Sequence, residues 1–309
     1  MKCISVVTPC YNEEENVEEI YQQVKEVFAQ LEGYQYEHVF IDNASTDKTV
    51  EILKRMALQD NNIKVIVNAR NFGHIRSPFY GMLQARGEAV VLIAADLQDP
   101  PALILDFVKQ WEAGFKVVVG VKPATQEAFP MAAIRRAYYN FITKIADMRL
   151  IKNFTGFGLY DRSVVTVLRQ IDDAYPYFRG LISEIGFPVA QIPFKQPTRT
   201  RGTTKNNFYT LYDMAILGIT THSKLPIRVA TLGGFTFALL SFLAGMIFLI
   251  LKLVLWNHFP VGIAPILIGM FFLASMQLFF IGILGEYVLS IHTQTLKRPL
   301  VVESERINF

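Results

Sequence analysis

Four polar segments carry most of the side chains able to do chemistry, and each directly follows a short apolar run rich in β-branched residues. The first is Thr8-Pro9-Cys10-Tyr11-Asn12-Glu13-Glu14. Its acids would repel a pyrophosphate but can accept hydrogen bonds from a base or a ribose; a capped acidic helix start is the plainer use of the same residues. The second, Asp42-Asn43-Ala44-Ser45-Thr46-Asp47, offers a carboxylate at a strand end. That group suits a base or ribose contact, or an Asx turn that caps the next helix. The third, Asn68-Ala69-Arg70-Asn71-Phe72-Gly73-His74, is polar and basic. The fourth, Ala94-Ala95-Asp96-Leu97-Gln98-Asp99-Pro100-Pro101, is the strongest signal. Asp96 leaves an apolar strand and Gln98 adds a second oxygen two residues on, which suits one Mg²⁺ or Mn²⁺ with sites left for phosphate oxygens. Such an ion would neutralise a departing diphosphate. A simple turn fits the segment equally, and Asp99-Pro100-Pro101 reads as a helix start.

Other chemistries lack their residues. The chain has no GxGxxG or P-loop, no HExxH or CxxC spacing and no GxSxG elbow, and its five histidines are scattered. A zinc site is therefore not expected. Net charge is +3 with no basic block interleaved with aromatics, so no nucleic-acid partner is expected. Cys3 and Cys10 read as two buried free thiols.

The elements that position these segments alternate. Strands are expected at 3–8, 38–42, 64–68, 89–94 and 116–121, and helices at 13–31, 48–58, 75–86 and 101–112. Asn12 is the expected N-cap of the first helix. This βαβ order predicts an α/β fold with a mostly parallel sheet flanked by helices, whose ligands bind beyond the C-terminal strand ends. Farther on, 123–130 reads as a loop, 131–148 as a helix with Arg135 and Arg136 near its start, and 153–158 as turn-rich. A short helix from Ser163 and a strand over 188–194 follow.

Of the 309 residues, 51% are hydrophobic, and the excess lies past Pro226. Residues 206–222 have one apolar face, which fits either an interfacial helix or a helix packed on the preceding domain. Two uncharged runs follow and predict a two-helix transmembrane hairpin at about 227–252 and 261–286. Lys224, Arg228, Lys297 and Arg298 flank its outer ends, against Lys252 alone at the inner turn. The positive-inside rule then puts both termini in the cytoplasm. The expected organisation is a cytoplasmic catalytic domain at 1–205, an interfacial amphipathic helix at 206–225, the membrane hairpin at 226–290 and a cytoplasmic tail at 291–309.

The segments TPCYNEEEN (8–16), IDNASTDKT (41–49), RNFG (70–73), ADLQDPP (95–101), LYDRSVV (159–165) and RTRGTTK (199–205), in that order and ahead of a helical hairpin, resemble glycosyltransferase family 2. Within it, the chain is most similar to polyprenyl-phosphate glycosyltransferases of the bactoprenol glucosyltransferase group. The resemblance implies a GT-A fold and inversion at the sugar's anomeric carbon. It implies nucleotide-sugar contacts from Pro9, Tyr11, Asn12, Glu13, Ile41, Asp42, Asn43, Asn71 and Ala95, and metal ligation by Asp96 and Gln98. Lys122 takes the place of a common arginine, Arg199 and Lys205 match a basic closure over the phosphates, and Arg135 and Arg136 match the helix that meets the acceptor phosphate. Three departures stand out: Asn43 and Ala44 in the usual DDGSTD, Ala94 for the first acid of the usual DADLQD, and Gly156 for the acid of a common GDFRL segment.

The implied reaction moves glucose from UDP-glucose to undecaprenyl or another polyisoprenyl phosphate at the membrane, by an enzyme expected to be a homo-oligomer. A phosphate nucleophile is already dianionic near neutral pH and needs no general base. It needs cations that hold two polyanions together and a metal at the leaving diphosphate. Asp161 is the remaining candidate base, with a salt bridge as its alternative role. Competing readings are another donor (GDP-mannose or a UDP-aminosugar), a non-catalytic membrane scaffold that kept the fold, and transport through an oligomer of hairpins. No ionisable residue lies at the centre of either run, which counts against transport.

Overall fold

β1 (Lys2–Cys10) is buried from Ile4 to Thr8, and its apolar side chains divide between the two faces of a sheet. Ile4 and Val6 join one core cluster and Val7 the other. β2 (Tyr34–Asp42) repeats the division, with Phe40 on the first face and Val39 and Ile41 on the second. Strands covered on both faces are what a parallel sheet flanked by helices requires. The computed structural model describes residues 2–122, 151, 153–197, 225–255 and 263–309.

The order continues α1 (Val17–Phe28) between β1 and β2, then α2 (Thr49–Gln59), β3 (Ile63–Asn68), α3 (Gly73–Gln84), β4 (Ala89–Leu92), α4 (Leu103–Glu112) and β5 (Val117–Val121). β6 (Phe154–Asp161), α5 (Arg162–Gln170), α6 (Phe178–Glu184) and β7 (Val189–Pro193) complete the first part. The last elements are α7 (Leu225–Val254), α8 (Ile263–Thr295) and β8 (Glu303–Ile307). The strands form one sheet in the order β7-β5-β6-β4-β1-β2-β3-β8. β1, β2, β3 and β4 pair in parallel, as do β5 and β7, while β6 and β8 run antiparallel to their neighbours. The sheet is mixed and GT-A-like, as the resemblance implies; the parallel pairing that the alternation predicts holds from β3 through β2 and β1 to β4. α1, α2 and α4 cover one face, and α3, α5 and α6 cover the other.

The structure departs from expectation in three places. Residues 153–158 were expected as turns, but 154–158 are the first five residues of β6. Glycine is needed there for packing: a Cβ at Gly158 would sit 3.1 Å from Val119 Cα in the next strand. α1 begins at Val17, not at residue 13. Asn12 has a left-handed backbone (φ 54°), and residues 12–14 are held by the β2 loop instead of by the helix. Residues 291–309, expected as a tail, finish α8 and supply β8. That strand pairs Val65 with Ile307 and Val67 with Glu305 along the otherwise open edge of β3. An unpaired strand edge is a row of unsatisfied backbone groups, and a returning chain end satisfies it.

α7 and α8, with 30 and 33 residues, are long and apolar enough to cross a membrane. At 1.5 Å per residue each exceeds a hydrocarbon core of about 30 Å. Phe237 and Phe272 meet edge-on between them at 6.0 Å.

Removal of residues 300–309 takes away the β8 ladder and the bonds from Asn308 to Ala57 O and Ile63 O. A loss of roughly 3 kcal/mol is expected, read as a fall of about 5–10 °C in the melting temperature of the purified protein.

Candidate active site

The C-terminal ends of β1 through β4 converge on a cavity of about 640 Å³. β1 and the residue after it contribute Pro9, Cys10 and Tyr11, and the loops after β2 and β3 contribute Asn43 and Asn71. Ile93, Ala94 and Asp99 come from the segment after β4. Its other wall is the start of α3 (Gly73, His74, Ile75, Ser77, Pro78 and Phe79), Thr155 and Gly156 of β6, and 176–179 at the start of α6. α3 lies close to the sheet because Gly81 has no Cβ; one would stand 2.9 Å from Ile41 Cγ2 and 3.0 Å from Val7 Cγ1.

The loops after β1 and β2 are laced together. Asn12 N–H donates to Ser45 Oγ at 2.8 Å, and Asn12 Oδ1 accepts from Thr46 N–H at 2.8 Å. Glu13 N–H donates to Thr49 Oγ1, and Lys48 N–H to Glu14 Oε2, both at 2.9 Å. Asp42 has no exposed surface, and both its oxygens accept from Ser45. It closes an Asx turn, with burial raising its carboxyl above the ordinary range. Asp47 accepts from Thr49 N–H and Oγ1 at the head of α2. These carboxylates work within the loops, and Glu13 alone of the acids at 13 and 14 lines the cavity.

Asn43 is the centre of an amide network. Its Oδ1 accepts from Phe72 N–H (2.8 Å) and Asn68 Nδ2 (3.0 Å) while its Nδ2 donates to Asn71 Oδ1 (2.9 Å). Asn71 Oδ1 also accepts from Gly73 N–H at 2.8 Å. A carboxylate cannot donate, so only an amide at 43 serves both sides. Ala44 sits at φ 62°, a left-handed conformation that costs a residue with a Cβ about 1 kcal/mol.

Asp96 and Gln98 lie on a tight turn through Leu97 (φ 57°), with Gln98 N–H donating to Asp96 Oδ1 at 3.2 Å. Both are partly exposed, and this oxygen pair fits a hard divalent ion that completes its shell with phosphate and water. Among the described residues no group of three His, Cys, Asp or Glu side chains could hold a metal unaided. Asp99, expected at a helix start, is instead buried against the cavity. Burial pushes its carboxyl up to about 6, helped by the charge of Asp96 and opposed by Lys122 and the Ala94 N–H. Lys122 follows β5, with its N–H bonded to Asn153 O. His74 is held below its ordinary range by desolvation and by the Arg179 charge. Cys10 is buried and free, its thiol raised by burial and by Asp42, Glu13 and Asp47; Cys3 is free and half-buried.

Of the residues anticipated here, Pro9, Tyr11, Glu13, Asn43 and Asn71 line the cavity. Asn12, Ile41, Asp42, Ala95, Asp96, Gln98 and Lys122 are not among its lining residues. Asp161 is not brought to it. β6 runs antiparallel, so its last residue pairs with Ala89 at the far end of β4. There Asp161 accepts from Trp111 Nε1 (2.7 Å), Lys116 Nζ (3.2 Å) and Ser163 N–H (3.0 Å), which is a structural role and not that of a base. Arg135, Arg136, Arg199, Lys205, the 131–148 helix and the helix at 206–222 lie outside the described residues. Thr155, Tyr177 and Arg179 were not singled out from sequence, because the antiparallel course of β6 and the placing of α6 bring them in from outside the strand-end segments; His74 and Asp99 lay within those segments but were not assigned to the site.

The family model "Glycosyl transferase family 2" matches residues 5–167. The SfII prophage-derived bactoprenol glucosyl transferase of Shigella flexneri is 33% identical over 309 residues, 99% of each chain. The uncharacterized glycosyltransferase YkcC of Bacillus subtilis is 33% identical over 299 residues, 96% of this chain and 92% of its own. A solved mycobacterial protein shares the fold at a TM-score of 0.50 and 19% identity, over 71% of this chain and 73% of its own.

Hydrogen bonds hold the Asp161 carboxyl down to about 2 against the opposing effect of burial. Its contribution to stability, about 2 kcal/mol, is present above pH 4 and is lost as pH falls from about 4 through about 2. Asp161→Asn is expected to lower the melting temperature at pH 7 while leaving nucleotide-sugar affinity near wild type; a large loss of affinity with unchanged stability would contradict the structural role. Asn43→Asp is expected to loosen the Asn71–Gly73 turn, raising KM for the donor several-fold and lowering stability by about 1–3 kcal/mol, measured by kinetics and thermal unfolding.

Proposed function

The chain belongs to glycosyl transferase family 2 and is a glycosyltransferase, and we propose that it transfers glucose from UDP-glucose to undecaprenyl or another polyisoprenyl phosphate at the cytoplasmic membrane face. The observation that carries this reading is the cavity at the parallel strand ends joined to a hairpin of two apolar helices, in a chain similar over nearly its full length to bactoprenol glucosyl transferases. Arg228, Lys297 and Arg298 flank the outer ends of the hairpin and support a cytoplasmic catalytic domain.

In the proposed mechanism Glu13 and Tyr11 border the nucleoside and Asn43 and Asn71 hold the loops around it. An acceptor phosphate oxygen attacks the sugar's anomeric carbon as the bond to UDP breaks on the opposite side, inverting the centre. The electron pair leaves with UDP. No proton needs removing, because a phosphomonoester with a second pKa of about 6 is already dianionic. Gly156 supports a base-free course. It lines the cavity where the family often has an acid, yet its φ of 109° is a conformation that side-chain-bearing residues rarely adopt. Asp96 and Gln98 would hold Mg²⁺ or Mn²⁺, which supplies charge stabilisation to the leaving diphosphate. Lys122, with Arg135, Arg136, Arg199 and Lys205, would gather the phosphates of donor and acceptor. A homo-oligomer is part of the same reading.

Asp96→Ala is expected to abolish transfer in the presence of Mg²⁺, and full activity would remove the metal assignment. A donor panel of UDP-glucose, GDP-mannose and UDP-aminosugars with undecaprenyl phosphate decides the sugar. The pH profile of kcat/KM is expected to rise to a plateau above about pH 7 as the acceptor ionises.

A further inference from the structure

α8 runs straight into the catalytic domain. Gln294 Nε2 donates to Asp173 Oδ1 at 2.6 Å, and Gln294 Oε1 accepts from Ala174 N–H at 3.3 Å. Just past the helix, Pro299 O accepts from the Arg76 guanidinium on the first turn of α3. Exposed apolar side chains continue along α8 through Val288, Leu289 and Ile291 and on to Leu296 just past it; with α8 read as a membrane helix, this junction would lie where a bilayer's hydrocarbon gives way to headgroups.

Three arginines crowd the junction. The Arg70 and Arg76 guanidiniums lie 4.1 and 5.3 Å from the centre of the buried Phe72 ring. Burial holds Arg76 below its ordinary range, and the charges of Arg70 and Arg298 push the same way. Among the described residues no carboxylate forms an ion pair with any of the three. Arg76 Nε is buried without a hydrogen-bond partner. Clustered like charges and an unspent N–H are what an anion would resolve, and phosphate oxygens suit the planar donors of arginine. None of the three lines the cavity, although Gly73, His74 and Ile75 between them in sequence do.

We propose that Arg70, Arg76 and Arg298 form a binding site for the phosphate headgroup of an anionic bilayer phospholipid, separate from the transfer site. The proposal rests on the reading of α7 and α8 as a membrane hairpin. Bound there, the headgroup would brace α3, one wall of the cavity, against the membrane surface.

The full-length protein in a neutral detergent is titrated with short-chain phosphatidylglycerol, phosphatidylcholine and a short polyisoprenyl phosphate, with melting temperature as the readout. Phosphatidylglycerol is expected to raise the melting temperature by several degrees and phosphatidylcholine to leave it unchanged. Arg298→Gln, which removes a charge that makes no described hydrogen bond, and Arg70→Gln/Arg298→Gln are expected to weaken the response at least tenfold. Equal responses to the two phospholipids, or an unchanged response in both variants, would overturn the site. Competition of the polyisoprenyl phosphate with phosphatidylglycerol would overturn it too, by assigning the arginines to the acceptor. Sugar transfer measured on the same samples reports separately: no transfer with the phosphatidylglycerol response intact counts against the proposed activity alone.

Discussion

The parallel pairing of β1 with β2 on one side and β4 on the other is the constraint on which the cavity depends. β1 is matched to β2 over all nine of its residues, so Cys10 and Asp42 end level with one another. β4 joins the other side with Val7 opposite Leu92, which sends the 93–99 segment out at the same edge. A slip of one residue would turn every side chain of a strand to the opposite face. Val7 and Ile41 would then leave the layer that packs under Gly81, and α3 could not approach as closely as it does.

The loops on that edge explain the departures from the family's usual acids. Asn43 donates and accepts at once, which an aspartate could not do. Gly156 occupies a backbone conformation that disfavours any side chain. Ala94 gives its N–H to Asp99, a carboxyl that is buried beside the cavity even though the first acid of the usual pair is absent. Two of the three lost acids, at 43 and 156, therefore fall where the chain uses the replacement for structure, while Ala94 contributes only its backbone N–H. An electrostatic mechanism tolerates this pattern better than one that depends on a positioned base.

The same sheet reaches to the hairpin. β8 returns from the end of α8 to cover the β3 edge, while Gln294 and Pro299 tie that end to the 173–174 loop and to α3. A helix long and apolar enough to cross a membrane and a cavity wall are thus joined through one hydrogen-bonded junction.

From sequence alone, the βαβ order, the strand-end segments and the two apolar helices were legible, because periodicity and length are local properties. The segments that hold Pro9, Tyr11, Glu13, Asn43 and Asn71 could be placed at the cavity for the same reason, since each lies at the end of a strand whose direction the alternation predicts; the choice of residues within them came from the resemblance. β6 was hidden because its glycines look like turn residues until two neighbouring strands press on them. β8 was hidden because a short polar segment becomes a strand only when an open edge is offered to it. Asp161 could be assigned away from the site only once the antiparallel course of β6 was seen, and Asp99 and Arg179 toward it only once the 93–99 segment and α6 were folded against the sheet. Local pattern determined which segments could do chemistry; long-range pairing, which no local pattern encodes, decided which side chains meet.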